Sequence, residues 1–172
     1  MNGDYMARTD LAAITDAGPL IHLDELNCMD LLDGFSRVLI VDAVWREVAY
    51  HRPVLFQYRS FTRCIAPNQP DIIQTLTPLY GLHDGEREAL TLCLTNPESI
   101  FLTDDTAARM AAKALGIGAH GTIGIILRAI RTSQRTKQEA LKILDSIPLS
   151  SSLHIRRSLL DEVMMSVEKS II

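Results

Sequence analysis

The sequence predicts the α/β fold class, with a parallel central sheet, and three observations carry that expectation. Short apolar runs rich in β-branched residues, such as Val38–Val41, alternate with longer amphipathic stretches. That alternation is the pattern of strands joined by helical crossovers. Several of the strand-like runs are followed at once by carboxylates. No internal repeat, low-complexity segment or Ser/Gly-rich linker divides the 172 residues, a length suited to one domain at roughly 150 residues each.

Residues 11–15 read as a buried strand closed by Asp16-Ala17-Gly18-Pro19. Pro19 suits the first turn of a helix, where its missing N–H costs nothing, and that helix is expected to run to about residue 32. Val38–Val41 is a second strand, and residues 43–50 a helix capped by Asp42. Residues 51–78 hold Pro53, Pro67, Pro70 and Pro78, so loops with one or two short helices are expected. A helix over 84–94 precedes a strand at Ser99–Leu102. The alanine-rich stretch 106–115 is a helix stopped by Gly116. A short strand over 117–119 leads to a helix from Thr122 through Arg128 and Arg131. Two amphipathic helices, 138–146 and 156–168, complete the chain.

Composition narrows the function. Apolar residues are 47% and charged residues 22%, which excludes disordered, collagen-like and disulfide-scaffold classes. The net charge of −4 argues against a basic nucleic-acid coat, because counterion release needs many surface cations. A nucleic-acid enzyme with a local basic patch stays open. Cys28, Cys64 and Cys93 are odd in number and widely spaced, and the five histidines lack metal-ligand spacing. Both argue for a reducing compartment and against structural zinc. Residues 1–10 are polar and acidic, unlike a secretory signal, and the longest apolar stretch, around Ile123 to Leu127, is too short to span a bilayer. A cytoplasmic protein with no membrane partner is expected.

The acids carry the chemistry. Asp16 closes the first strand, and Asp104 and Asp105 follow Ser99–Leu102. Glu86 lies three, four, seven and eight residues before Ala89, Leu90, Cys93 and Leu94, which places it on the inward face of its helix. In open α/β sheets ligands bind beyond the carboxyl ends of the strands, so these acids can meet at one edge. Acids at helix starts also serve as caps. One cap per helix suffices, however, so Asp104 beside Asp105 and Glu86 beside Asp84 are in surplus. Clustered carboxylates persist with a shared proton or a bound cation, and an oxygen-only set favours Mg²⁺ or Mn²⁺. On this reading Asp104 bears like-charge repulsion that Asp104→Asn would relieve.

The segments Thr15-Asp16-Ala17-Gly18-Pro19-Leu20-Ile21, Val44-Trp45-Arg46-Glu47-Val48, Gly85-Glu86-Arg87-Glu88-Ala89, Leu102-Thr103-Asp104-Asp105 and Gly121-Thr122-Ile123-Gly124, with Ala108-Arg109 and Leu115-Gly116 between the last two, resemble in order and spacing a PIN-domain protein. The likeness is to the nucleic-acid-binding subgroup related to VapC-type toxin ribonucleases. It implies a PIN-like three-layer α/β/α sandwich around about five parallel strands, with a nuclease domain at 11–147 and a helical extension at 148–172 packed on it. It implies a Mg²⁺- or Mn²⁺-dependent ribonuclease, a toxin of a toxin–antitoxin pair or an orphan relative. The alternative is a catalytically weak module that binds nucleic acid or a protein partner. RNA as substrate, a small antitoxin and a homodimer are the implied partners. Asp16, Glu86 and Asp104 would be metal ligands. Glu47 and Asp105 would serve beside them in catalysis, and Thr122 would stand at the helix start. Two departures stand out: a longer Glu at position 86, where more familiar toxins carry Asp, and Asp42 where relatives often carry proline.

Two further signals compete. Gly116-Ile117-Gly118-Ala119-His120-Gly121 matches a dinucleotide fingerprint, but its first glycine ends a helix and no acid follows at the needed distance. Arg128, Arg131, Arg135, Lys137 and Lys142 form a basic stretch to which Arg156-Arg157 adds, read either as a solvated helix face or, with Thr122, as a groove that tracks RNA phosphates near the acids.

Overall fold

The computed structural model describes residues 11–57 and 61–169. Residues 1–10, on which the reading of a non-secretory start rests, lie outside them. Strands β1 (Ala12–Thr15), β2 (Val38–Val41), β3 (Thr62–Cys64), β4 (Ser99–Leu102) and β5 (Ala119–His120) form one all-parallel sheet in the order β3-β2-β1-β4-β5. The flanking helices are α1 (Ala17–Glu25), α2 (Asp42–His51), α3 (Asp71–Tyr80), α4 (Asp84–Thr95), α5 (Thr106–Ala114), α6 (Thr122–Arg131), α7 (Lys137–Ser150) and α8 (Arg157–Lys169). Helices cover the sheet, so its central strands read as apolar runs: all of β2 is buried, as are Ile14 and Phe101. No helix among the described residues is long and apolar enough to cross a membrane.

The topology creates the crevice. From β1 the chain steps outward to β2 and β3, then returns to lay β4 on the other side of β1. The strand order therefore reverses between β1 and β4, which makes their carboxyl ends the switch point where α/β sheets bind ligands. Their register is level there, with Thr15 opposite Leu102, and Asp16 N–H donates to the Leu102 carbonyl at 2.8 Å.

Several elements depart from expectation. The first helix stops at Glu25 rather than near 32, because Asn27 turns into the left-handed region at φ 52°; Asn accepts that conformation at helix ends. A 3-10 turn over Met29–Gly34 follows. Asp42 lies inside α2 and does not cap it; the N-cap is Val41, and Asp42 accepts from Arg63 Nε at 2.6 Å. The proline-rich stretch holds both β3 and the ten-residue α3. Pro70 sits just before α3 and Pro78 in its last turn, while Ile73 and Leu76 bury the helix. The short fifth strand falls at 119–120 rather than 117–119. Gly116 ends α5 in the left-handed region at φ 72°, as the sequence implies. α7 continues through Pro148 to Ser150. There α7 packs on α6 and α8 on α7.

Candidate active site at the carboxyl edge of the sheet

Four helix N-termini meet at this edge, and each engages one of the acids. Asp16 caps α1, its Oδ1 accepting from Ala17 N–H at 2.8 Å. Asp105 caps α5, accepting from Ala108 N–H at 2.7 Å. Glu86, at the third position of α4, reaches back to His83 N–H at 2.8 Å. Asp104 accepts from Thr122 N–H, the first of α6, at 2.7 Å. The capping reading thus describes all four acids, and the topology sets the four caps along one edge of the sheet. The surplus argument fails for Glu86, which completes the cap of α4, while Asp84 turns outward to Arg87.

Electrostatics separates the acids into two kinds. Burial pushes the Asp16 carboxyl up from 3.8 to about 6, the Ala17 N–H opposes this, and the charges of Glu86 and Glu47 add to it. Glu86, only 8% exposed, is also raised, first by burial and then by Asp105 and Glu47, against the bond from His83 N–H. No Lys or Arg among the described residues forms an ion pair with Asp16, Glu47, Glu86 or Asp105. Asp104 behaves oppositely. Burial disfavours its charge, but His22 Nδ1 at 2.8 Å, Thr122 Oγ1 at 2.6 Å and Thr122 N–H hold its carboxyl below the usual range. The repulsion expected at Asp104 therefore falls on Asp16 instead.

Glycines permit the close approach. A Cβ on Gly85 would lie 2.9 Å from Val44 Cγ2, and within 4 Å of both Asp16 Oδ1 and Glu47 Oε2. Gly85 therefore lets α4 pack on α2 and keeps Glu47, exposed on α2, facing the same space as Asp16. A Cβ on Gly121 would collide with Asp104 Oδ1. The sequence reading missed His22 and Thr103, whose hydroxyl donates to Asp16 Oδ2 at 3.2 Å. His22 shares a helix face with Gly18, four residues earlier, yet nothing local reveals that this face meets Asp104.

Two arginines of the basic stretch are taken up internally. Arg128 donates to the Gly34 carbonyl at 3.0 Å and lies over the Phe35 ring, and Arg135 pairs with Asp30 at 2.6 Å. Thr122 is fully buried, its hydroxyl given to Asp104. Of these four residues only Arg131 is exposed. Cys93 is buried with its thiol pushed up to about 12 by burial, and is inert.

The donors suit a hard divalent cation, since they are oxygen only and carry uncompensated negative charge. As they stand, no three His, Cys, Asp or Glu side chains among the described residues are close enough together to hold one.

Fold and site define a class: an open parallel α/β domain whose switch-point crevice is lined by carboxylates. A family model described as a PIN domain matches residues 12–169, and the chain belongs to that family. Comparisons with curated proteins and with solved structures give no significant match.

Proposed function

We propose that the protein is a divalent-metal-dependent ribonuclease hydrolysing RNA phosphodiester bonds, and that it acts as the toxin of a toxin–antitoxin pair or an orphan relative. The observation that carries this reading is the uncompensated acid group at the switch point of a PIN domain, with Asp16 raised to about 6. A carboxyl that costs stability when ionised is retained where its charge is used. Asp16 and Glu86 would hold Mg²⁺ or Mn²⁺, with Asp104 as the third acid, held in place by His22 and Thr122. When bound, the ion would supply Lewis-acid polarisation of the phosphoryl group and a more acidic water.

The chain's own residues would do the rest. Thr103 and Ala17 N–H orient the Asp16 carboxylate. Glu47 on α2 or Asp105 on α5 would accept the proton of the attacking water, both standing at the same edge. The open spacing of the acids favours a second reading, a catalytically weak module that binds nucleic acid or a protein partner. Incubation of single-stranded RNA with the protein, with Mn²⁺ and then with EDTA, decides between them. Cleavage that needs Mn²⁺ and is lost in Asp16→Asn supports the nuclease. Binding without cleavage by the wild type supports the module. A small antitoxin and a homodimer belong to the toxin proposal, and co-purification and light scattering test them.

A further inference from the structure

A cleft of about 550 Å³ opens beside Asp104, between the start of α6 and the segment that leads into α8. Its charged lining is one-sided. Arg109 from α5, His120 from β5, and His154 and Arg156 from the segment before α8 face a single acid, Asp104. Neither Arg109 nor Arg156 forms an ion pair among the described residues, and both are exposed. In a chain of net charge −4, two exposed and unpaired guanidiniums gathered beside a carboxylate site make a local positive field that attracts an anionic group.

The cleft is also built rather than incidental. Ser151 and Ser152 are tied to Glu25 at the far end of α1, Ser152 N–H donating at 2.6 Å and Ser151 Oγ at 3.1 Å. Glu25 is itself paired with Arg52 at 2.6 Å. From that anchor the chain runs back to place His154 and Arg156 near the acid edge, where α1 begins. His120 rests on Gly124, where an added Cβ would come within 3.1 Å of the His120 Cβ and 3.3 Å of its Nδ1, so the glycine leaves room for this side chain on the cleft wall.

We infer that this cleft binds a backbone phosphate of single-stranded RNA next to the one at the acids, with Arg109 and Arg156 as the principal contacts. The inference rests on the proposed nuclease reading for its substrate. Of the basic residues singled out from the sequence it keeps Arg156, adds Arg109, and withdraws Arg128 and Arg135, which are engaged internally. Two guanidiniums offer bidentate contact to phosphate, and two imidazoles add donors of either protonation state.

The test is fluorescence anisotropy of a labelled single-stranded RNA oligonucleotide on the full chain, in EDTA so that binding is read apart from cleavage, across a salt series. The double variant Arg109→Gln/Arg156→Gln is expected to bind about tenfold or more weakly, the equivalent of one lost charge-assisted contact. Its salt slope should fall by about 0.7, the value for one single-strand phosphate contact. Arg131→Gln is expected to bind as wild type. Both substituted arginines are exposed, so the melting temperature should hold. Wild-type affinity in the double variant, a loss confined to Arg131→Gln, or no RNA binding by the wild type would each overturn the cleft. Hydrolysis with Mn²⁺ on the same samples separates the two claims. Cleavage with unchanged affinity in the double variant removes the cleft and leaves the nuclease. Weakened binding without any cleavage removes the nuclease and leaves the cleft.

Discussion

Replacing Asp16 by Asn should stabilise the protein without metal, and the size of the gain follows from its environment. The carboxyl titrates near 6 in the folded chain against 3.8 ordinarily, so the native state holds its proton more tightly than the unfolded chain does. Wild type therefore loses stability as pH rises from about 4 through 6, and the loss is complete above that. At 1.36 kcal/mol per pKa unit the full cost is about 3 kcal/mol. Asn keeps the cap on α1, because it caps as well as Asp, and it carries no charge to repel Glu86 and Glu47. The advantage of Asp16→Asn should be about 0.5 kcal/mol at pH 4, about 1.6 at pH 5 and about 3 at pH 7. For a chain of this size that is roughly 6–12 °C in melting temperature at neutral pH. Urea unfolding in EDTA at several pH values reads it directly. A variant no more stable than wild type at pH 7, or a difference that does not change with pH, would refute the account of Asp16.

Asp104→Asn should have the opposite sign, destabilising by about 1.5–3 kcal/mol at pH 7, because His22 and Thr122 bond the ionised carboxylate. That penalty should shrink as pH falls through the depressed carboxyl range, where wild type loses the same stabilisation. Thermal melts of the two Asn variants side by side test the division between the acids. Mn²⁺ at a hundredfold excess over its Kd should raise wild-type stability by about 2.7 kcal/mol, and much less in Asp16→Asn. Equal responses would remove Asp16 from the ion site. Gly85→Ala should cost about 1–3 kcal/mol by overpacking against Val44. If chemical denaturation shows no loss, α4 and α2 are not packed as closely as described.

The sequence alone determined much of the architecture, and the reasons are local. Residues 38–41 and 99–102 read as strands because a sheet covered by helices leaves its strands apolar. Thr122 to Arg131 and the stop at Gly116 were legible because helical periodicity and the left-handed glycine act over a few residues. The order of the family's segments made the PIN domain recognisable from residue types. Some misses had local signals too, such as Asn27 as a helix end and Pro70 before a helix start. Others had none. Three exposed or half-buried residues at β3 carry too little pattern to mark an edge strand, whose place is set by pairing with β2. The fates of the acids were decided only by tertiary structure. Asp16 and Asp104 look alike in sequence, each an aspartate after a strand. One is left beside Glu86 and Glu47, and the other is met by His22 from 82 residues away. Charge and hydrogen bonding act through space, and the spacing of residues along a chain does not contain the neighbours that folding supplies.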